Sequence, residues 1–220
     1  MKLVIVYDND VFKKGLALKS DWGFSCLIKT KDENILFDTG TKGELLLSNM
    51  EKLNIDPASI DKIVISHEHH DHRGGLDSLI PYLKDVKLYH LGKDPDLDNI
   101  VSIVPEIPKK INSELWTTGR IKGLVDEQSL VFKINEYSWY VLTGCSHPGV
   151  EKILNVSNEI GTIKGIIGGF HGFNNFNVIE DLEFICPCHC TSHKDDIKKA
   201  FSEKSYECGV GKEFIFGDKK

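Results

Sequence analysis

The chain has 220 residues, 40% of them hydrophobic, enough for one domain with a substantial core and too few for two well-buried ones. Its net charge of −6 argues against nucleic acid as a main partner, because tracking phosphates takes a basic stripe. The opening apolar run, Leu3 to Tyr7, is too short for a signal-peptide core and no stretch approaches about 20 apolar residues, so the expectation is a soluble, cytoplasmic protein without membrane attachment.

Leu3-Val4-Ile5-Val6-Tyr7 reads as a strand ended by Asp8-Asn9-Asp10. Residues 11–22 read as a loop, with Lys13, Lys14 and Gly15 near a substrate mouth. Phe24 to Lys29 and Asn34 to Asp38 predict a hairpin across Lys31-Asp32-Glu33. Asp38 is either a turn residue before Thr39-Gly40 or a buried carboxylate that accepts an imidazole N–H and so fixes a histidine tautomer. A helix is predicted from Gly43 to about Leu53, its stripe of Leu45, Leu46, Met50 and Leu53 facing the core.

Ile63-Val64-Ile65-Ser66 reads as the end of a buried strand. The next six residues, His67 to His72, place four imidazoles beside Glu68 and Asp71. In an extended backbone alternate side chains share a face, so His67, His69 and Asp71 converge while Glu68 and His70 face away in supporting or exposed roles. Gly74-Gly75 supplies a turn that brings His72 in, and a helix follows from Leu76 to about Leu83, which places Asp71 and His72 at the strand-to-helix corner. Such donors suit zinc, with iron and manganese open. A solvated polar loop does not account for this density of histidine at a strand end.

Val86 to Leu91 predicts a strand. Residues 92–120 show little periodicity, contain Pro95, Pro105 and Pro108, and read as a long surface excursion. Within it Trp116, Lys109, Lys110 and Arg120 are each a packed Trp or solvated base, or together an aromatic wall with phosphate-binding charge. Gln128 to Ile134 and Ser138 to Thr143 predict paired strands, the second running into Gly144-Cys145-Ser146-His147-Pro148-Gly149 and a helix from 149 to about 159 opened by Pro148. Two more apolar runs end in histidine: Gly165 to His171 and Glu183 to His189. A helix at Lys194 to Phe201 and short strands at Tyr206 to Val210 and Glu213 to Phe216 close the chain. In Cys186-Pro187-Cys188-His189-Cys190, alternation sets three thiols on one face; a structural metal or redox pair is the alternative to buried small thiols, which the spacing favours. Without a secretion signal, the six cysteines are expected to be reduced.

His67-Glu68-His69-His70-Asp71-His72 matches an H-x-H-x-D-H signature, and on it the chain resembles the metallo-β-lactamase superfamily of metal-dependent hydrolases. Leu36-Phe37-Asp38-Thr39-Gly40, Thr143 to Gly149, Gly168-Gly169-Phe170-His171 and His189-Cys190-Thr191 extend the match. The last three resemble the 7,8-dihydropterin-6-methyl-4-(β-D-ribofuranosyl)-aminobenzene-5'-phosphate synthase-like branch. The resemblance implies an α/β fold, a four-layer αββα sandwich of two mixed sheets flanked by helices, as a single domain over residues 1–220. It implies His67, His69 and His147 on one metal and Asp71, His72 and His189 on a second, zinc first, with manganese or iron open. Asp38 becomes the supporting carboxylate, and a metal-activated water the nucleophile.

One departure bears on metal count. Where many members carry a bridging Asp, this chain has the Gly-Gly-Phe-His turn, and Asp181 ends no clear apolar strand and is not assigned to that role. His171 is then a ligand or, preferred here, a substrate-facing donor to a developing oxyanion, and one or two metals remain open. Thr191-Ser192 stands where the branch has Thr-Gly. The activity implied is hydrolysis of a phosphate ester or phosphodiester. Alternatives are a transferase of pterin (tetrahydromethanopterin-type) cofactor biosynthesis and a non-catalytic metal-dependent metabolite-binding protein. The partner expected is a phosphorylated small molecule, not nucleic acid or membrane, and a homo-oligomer is compatible.

Overall fold

The computed structural model describes residues 1–93 and 99–217. They form two compact units, Met1–Val104 with Cys208–Phe216, and Pro105–Glu207 with Gly217. Each is built on one mixed sheet.

In the first unit, β1 (Lys2–Tyr7), β2 (Ser25–Lys29) and β3 (Asn34–Phe37) run antiparallel, with the predicted hairpin in register from Cys26 opposite Phe37 to Lys29 opposite Asn34. After α1 (Gly43–Lys52) come β4 (Lys62–Val64), α2 (His70–Arg73), α3 (Leu76–Leu79), β5 (Val86–Tyr89) and β6 (Ile100–Ile103). β3 to β6 are parallel neighbours, and the C-terminal strand Glu213–Ile215 pairs with β1. Val4, Val6, Leu27 and Leu36 share a core with Leu46 and Met50 of α1 and Leu76 and Leu79 of α3. Leu3, Ile5, Cys26 and Ile28, of opposite parity, are fully buried too, which is why these strands read as unbroken apolar runs.

Two expectations change here. Asp71 and His72 lie at the strand-to-helix corner as expected, but Asp71 does not share an extended backbone with His67 and His69: β4 ends at Val64, and both Asp71 and His72 lie in the single helical turn α2, whose N-cap is His69. Gly74 and Gly75 form the predicted turn, between α2 and α3, and both have right-handed helical angles. Their lack of a side chain serves close approach, since a methyl on Gly75 would sit 2.2 Å from the Thr39 carbonyl oxygen and one on Gly74 2.4 Å from that of Thr41. The following helix stops at Leu79 and tightens into a 3₁₀ turn over Ile80–Tyr82, because Pro81 offers no N–H to an α-helical ladder.

The second unit is β7 (Lys109–Lys110), β8 (Leu115–Thr117), β9 (Leu130–Lys133), β10 (Trp139–Thr143), α4 (Val150–Asn158), β11 (Ile163–Gly169), β12 (Phe184–Cys188) and α5 (Lys194–Ala200). The sheet order is β12-β11-β10-β9-β8-β7, with β10, β11 and β12 parallel. Its core joins Val131, Val141 and Ile166 to Ile153 of α4 and Ile197 of α5.

The excursion over 92–120 is more ordered than its sequence suggests: it holds β6, β7 and β8, which gain their hydrogen bonds from distant partners. Pro95 lies outside the described residues. Trp116 packs against the core and Lys109 and Lys110 are exposed, the packed Trp and solvated bases that the sequence allowed, and Arg120 is held by Glu106 at 2.8 and 2.9 Å and by Asp126 at 3.2 Å. Tyr206 to Val210 forms only a bridge at Val210, not a strand. Among the described residues no helix is long and apolar enough to cross a membrane.

Candidate metal centre

Parallel strands deliver their C-terminal ends to one sheet edge, where open α/β sheets gather functional groups. In the first unit Asp38 follows β3, and His67 and His69 follow β4. In the second unit His147 follows β10, His171 follows β11 and His189 follows β12. Asp38 (φ 57°), Ser146 (φ 61°), His171 (φ 48°) and His189 (φ 43°) all have left-handed backbones. For non-glycine residues that conformation costs of order 1–3 kcal/mol each, and here it turns side chains out at strand ends.

Asp38 is fully buried and organises the first unit's donors. Its Oδ1 accepts the Ser66 N–H at 2.7 Å, and its Oδ2 accepts the Ser66 hydroxyl at 2.8 Å and meets His72 Nδ1 at 2.7 Å. With its proton given to Asp38, Ser66 Oγ accepts from His67 Nδ1, 2.9 Å away. One carboxylate thus fixes two imidazoles in the tautomer with a lone pair on Nε2. Ser66 was not legible as part of the site; its only signal was a hydroxyl at the strand end before His67.

His67 Nε2 faces His69 Nδ1 at 3.1 Å. A proton or a cation must lie between them, and two nitrogens each about 2.1 Å from a tetrahedral zinc stand roughly 3.4 Å apart, so the donors fit such an ion. His67 and His72 are buried while His69 is exposed, which leaves an open approach. The Asp71 carboxylate is 3.8 Å from His72 Nε2 and accepts the Trp22 indole N–H at 2.8 Å, a contact sequence reasoning missed. The Asp71 and His72 carbonyls are pinned by Phe24 N at 3.1 Å and Thr39 N at 2.6 Å. His70 is exposed, and Glu68 pairs with Arg73 at 2.6 Å, so neither joins the donors.

In the second unit a fully buried Glu127 shapes the turn that carries His147. Its Oε1 accepts the N–H groups of Gly144, Cys145 and Ser146 at 3.0–3.1 Å and the Thr143 hydroxyl at 2.9 Å; its Oε2 accepts the His147 N–H at 2.9 Å. Because β9 is antiparallel to β10, a residue just before β9 lies beside the end of β10. That register, invisible in the sequence, gives Glu127 its place.

The His147 and His171 rings are 5.1 Å apart between centroids and border a 240 Å³ pocket with Ser146, Phe170 and Phe173. His171 is exposed, and its carbonyl accepts the Ser192 N–H at 2.8 Å. Ser192 has no left-handed backbone, so glycine is not required there. Donor atoms of His189 and Cys145 lie within 4.8 Å of each other. Cys186 and Cys188 are buried in β12 with sulfurs 3.8 Å apart, but Cys190 has left the strand and donates toward the Cys145 carbonyl, so the three thiols do not share a strand face. Asp181 is exposed.

The sequence profile described as "Metallo-beta-lactamase superfamily" matches residues 23–137, more than half of the chain. Uncharacterized protein MJ0448 of Methanocaldococcus jannaschii is 28% identical over 86% of this chain and 90% of its own length. The 7,8-dihydropterin-6-methyl-4-(beta-D-ribofuranosyl)-aminobenzene-5'-phosphate synthase of the same organism is 28% identical over 80% of this chain and 82% of that protein. Among solved structures, Tm1679, a metal-dependent hydrolase of the beta-lactamase superfamily, matches with a TM-score of 0.78 at 29% identity, covering 99% of this chain and 100% of that one. With its H-x-H-x-D-H run at the end of β4 and two mixed sheets of the matching fold, the chain belongs to the metallo-β-lactamase superfamily.

Proposed function

We propose that the chain is a cytoplasmic metal-dependent hydrolase acting on a small phosphate ester or phosphodiester, with residues 1–220 working as one metallo-β-lactamase-like domain. The observation that carries this reading is the buried Asp38–Ser66 relay, which holds His67 and His72 with Nε2 available as a ligand. A polar loop rich in histidine has no use for such a relay. In the proposal His67, His69 and His147 hold one cation, and Asp71, His72 and His189 a second, zinc fitting the donors best. When bound, such ions supply Lewis acidity and lower the pKa of water toward neutrality. Asp38 keeps the imidazoles oriented, Glu127 holds the His147 turn, and the exposed His171 donates a proton-bearing nitrogen to negative charge developing on the substrate.

A second reading, a transferase of pterin cofactor biosynthesis, is favoured by the relative named as a dihydropterin phosphate synthase. The test is the reduced chain loaded in turn with zinc, manganese and iron and offered phosphomonoesters, phosphodiesters, lactones and thioesters in ¹⁸O-water. Product carrying ¹⁸O supports hydrolysis; product formed without it supports transfer. No turnover with any metal, together with tight binding of a phosphorylated metabolite, would favour a binding protein instead.

A further inference from the structure

We infer that Cys145 is itself a metal ligand, its thiolate sharing a divalent cation with His189. The inference rests on the metal reading proposed above and adds a donor that the superfamily signature does not supply. Cys145 follows β10 and His189 follows β12, the two strands that flank β11, so both emerge at the same sheet edge. The Cys145 sulfur and a ring nitrogen of His189 lie within 4.8 Å of each other, and the two residues are only 3% and 2% exposed. At a tetrahedral zinc, a sulfur at about 2.3 Å and a nitrogen at about 2.0 Å stand roughly 3.5 Å apart, so a small side-chain adjustment brings both onto one ion.

Their backbones are fixed from outside the pair. Cys145 donates its N–H to Glu127 at 3.0 Å, and His189 is held in a left-handed conformation that turns its ring out of the strand. The chain also lacks an aspartate in the Gly-Gly-Phe-His turn, where related enzymes are expected to carry a bridging carboxylate, and His171 in that turn is exposed. A thiolate at Cys145 restores the missing negative charge from a buried position. On binding, the Cys145 S–H bond breaks, its proton passes to solvent and a sulfur–metal bond forms, with no change of oxidation state. A soft sulfur donor also selects zinc over manganese.

The test is a cobalt(II) titration of the reduced full chain, with Cys145→Ser and Cys190→Ser alongside. The native chain and Cys190→Ser are expected to show a strong sulfur-to-cobalt charge-transfer band in the near ultraviolet, and Cys145→Ser to lose it while still binding at least one equivalent. Cobalt bound without the band, or a band that survives in Cys145→Ser, overturns the ligand assignment and leaves the metal reading standing; failure of the native chain to bind cobalt overturns both. X-ray absorption of the zinc-loaded native chain needs no variant: it should show one sulfur at about 2.3 Å, and a shell of nitrogen and oxygen alone refutes the inference.

Discussion

Replacing Asp38 with Asn changes one atom of the side chain and tests how the imidazoles are held. Asp38 accepts three hydrogen bonds of 2.7–2.8 Å, from Ser66 N, Ser66 Oγ and His72 Nδ1. If Asn keeps its oxygen on the Ser66 N–H, its amide group faces His72 Nδ1, which must then present a lone pair and carry its proton on Nε2, the nitrogen proposed to bind metal. Turning the amide over sets its N–H against the Ser66 N–H instead. Either arrangement opposes a buried donor with a donor and removes charge-assisted hydrogen bonds, costing about 3 kcal/mol of stability. At about 2–4 °C per kcal/mol for a chain of this size, the metal-free variant should melt roughly 6–12 °C lower. Zinc affinity, measured by competition with a chromophoric chelator, should fall about 10- to 100-fold, the usual effect of losing a ligand's hydrogen-bond partner. A variant that binds zinc within twofold of the native chain would refute this account of the tautomers.

Glu127→Gln should lower the melting temperature by a similar amount, because one oxygen of a fully buried carboxylate that gathers four backbone N–H groups becomes a donor; an unchanged melt in a calorimeter would show that the His147 turn holds itself. Trp22→Phe keeps an aromatic ring but deletes the N–H on Asp71, and should weaken the binding of one metal equivalent by up to about 10-fold, with the other unaffected, in the same chelator competition. Equal loss at both equivalents would mean that Trp22 acts on the fold rather than on Asp71. Cys188→Ser should change neither metal content nor turnover, since its sulfur packs in β12 and bonds the Cys186 carbonyl at 3.3 Å; loss of a tightly held zinc, seen by elemental analysis, would instead assign that strand a structural metal.

What the sequence disclosed follows from which interactions are local. Apolar runs that end in histidine mark β4, β10, β11 and β12 because burial on both faces makes each strand hydrophobic throughout. The hairpin of β2 and β3 is equally plain, its turn chemistry lying between two β-rich runs. The turn of helix at His70–Arg73 was hidden, since six polar residues carry no periodic signal and the helix is held by the N–H groups of Phe24 and Thr39, which donate to the Asp71 and His72 carbonyls. β6 was missed for a related reason: Ile100-Val101-Ser102-Ile103 is a strand because β5 lies beside it. Asp38 was readable as either a turn residue or a partner of histidine, and it is both, with φ of 57° and a bond to His72. Ser66 and Glu127 depend on pairings that no nearby residue announces: Ser66 meets a carboxylate 28 positions earlier, and Glu127 a turn 17 to 20 positions later.

The most direct measurement is metal bound per chain, by elemental analysis after zinc loading and desalting, in the native protein and in His69→Ala and Asp71→Ala. The native chain should retain one to two zinc ions, and each variant should lose zinc and turnover together while keeping a native circular-dichroism spectrum. Native zinc content in both folded variants would contradict the assignment of these side chains as ligands, and with it the proposed hydrolytic chemistry.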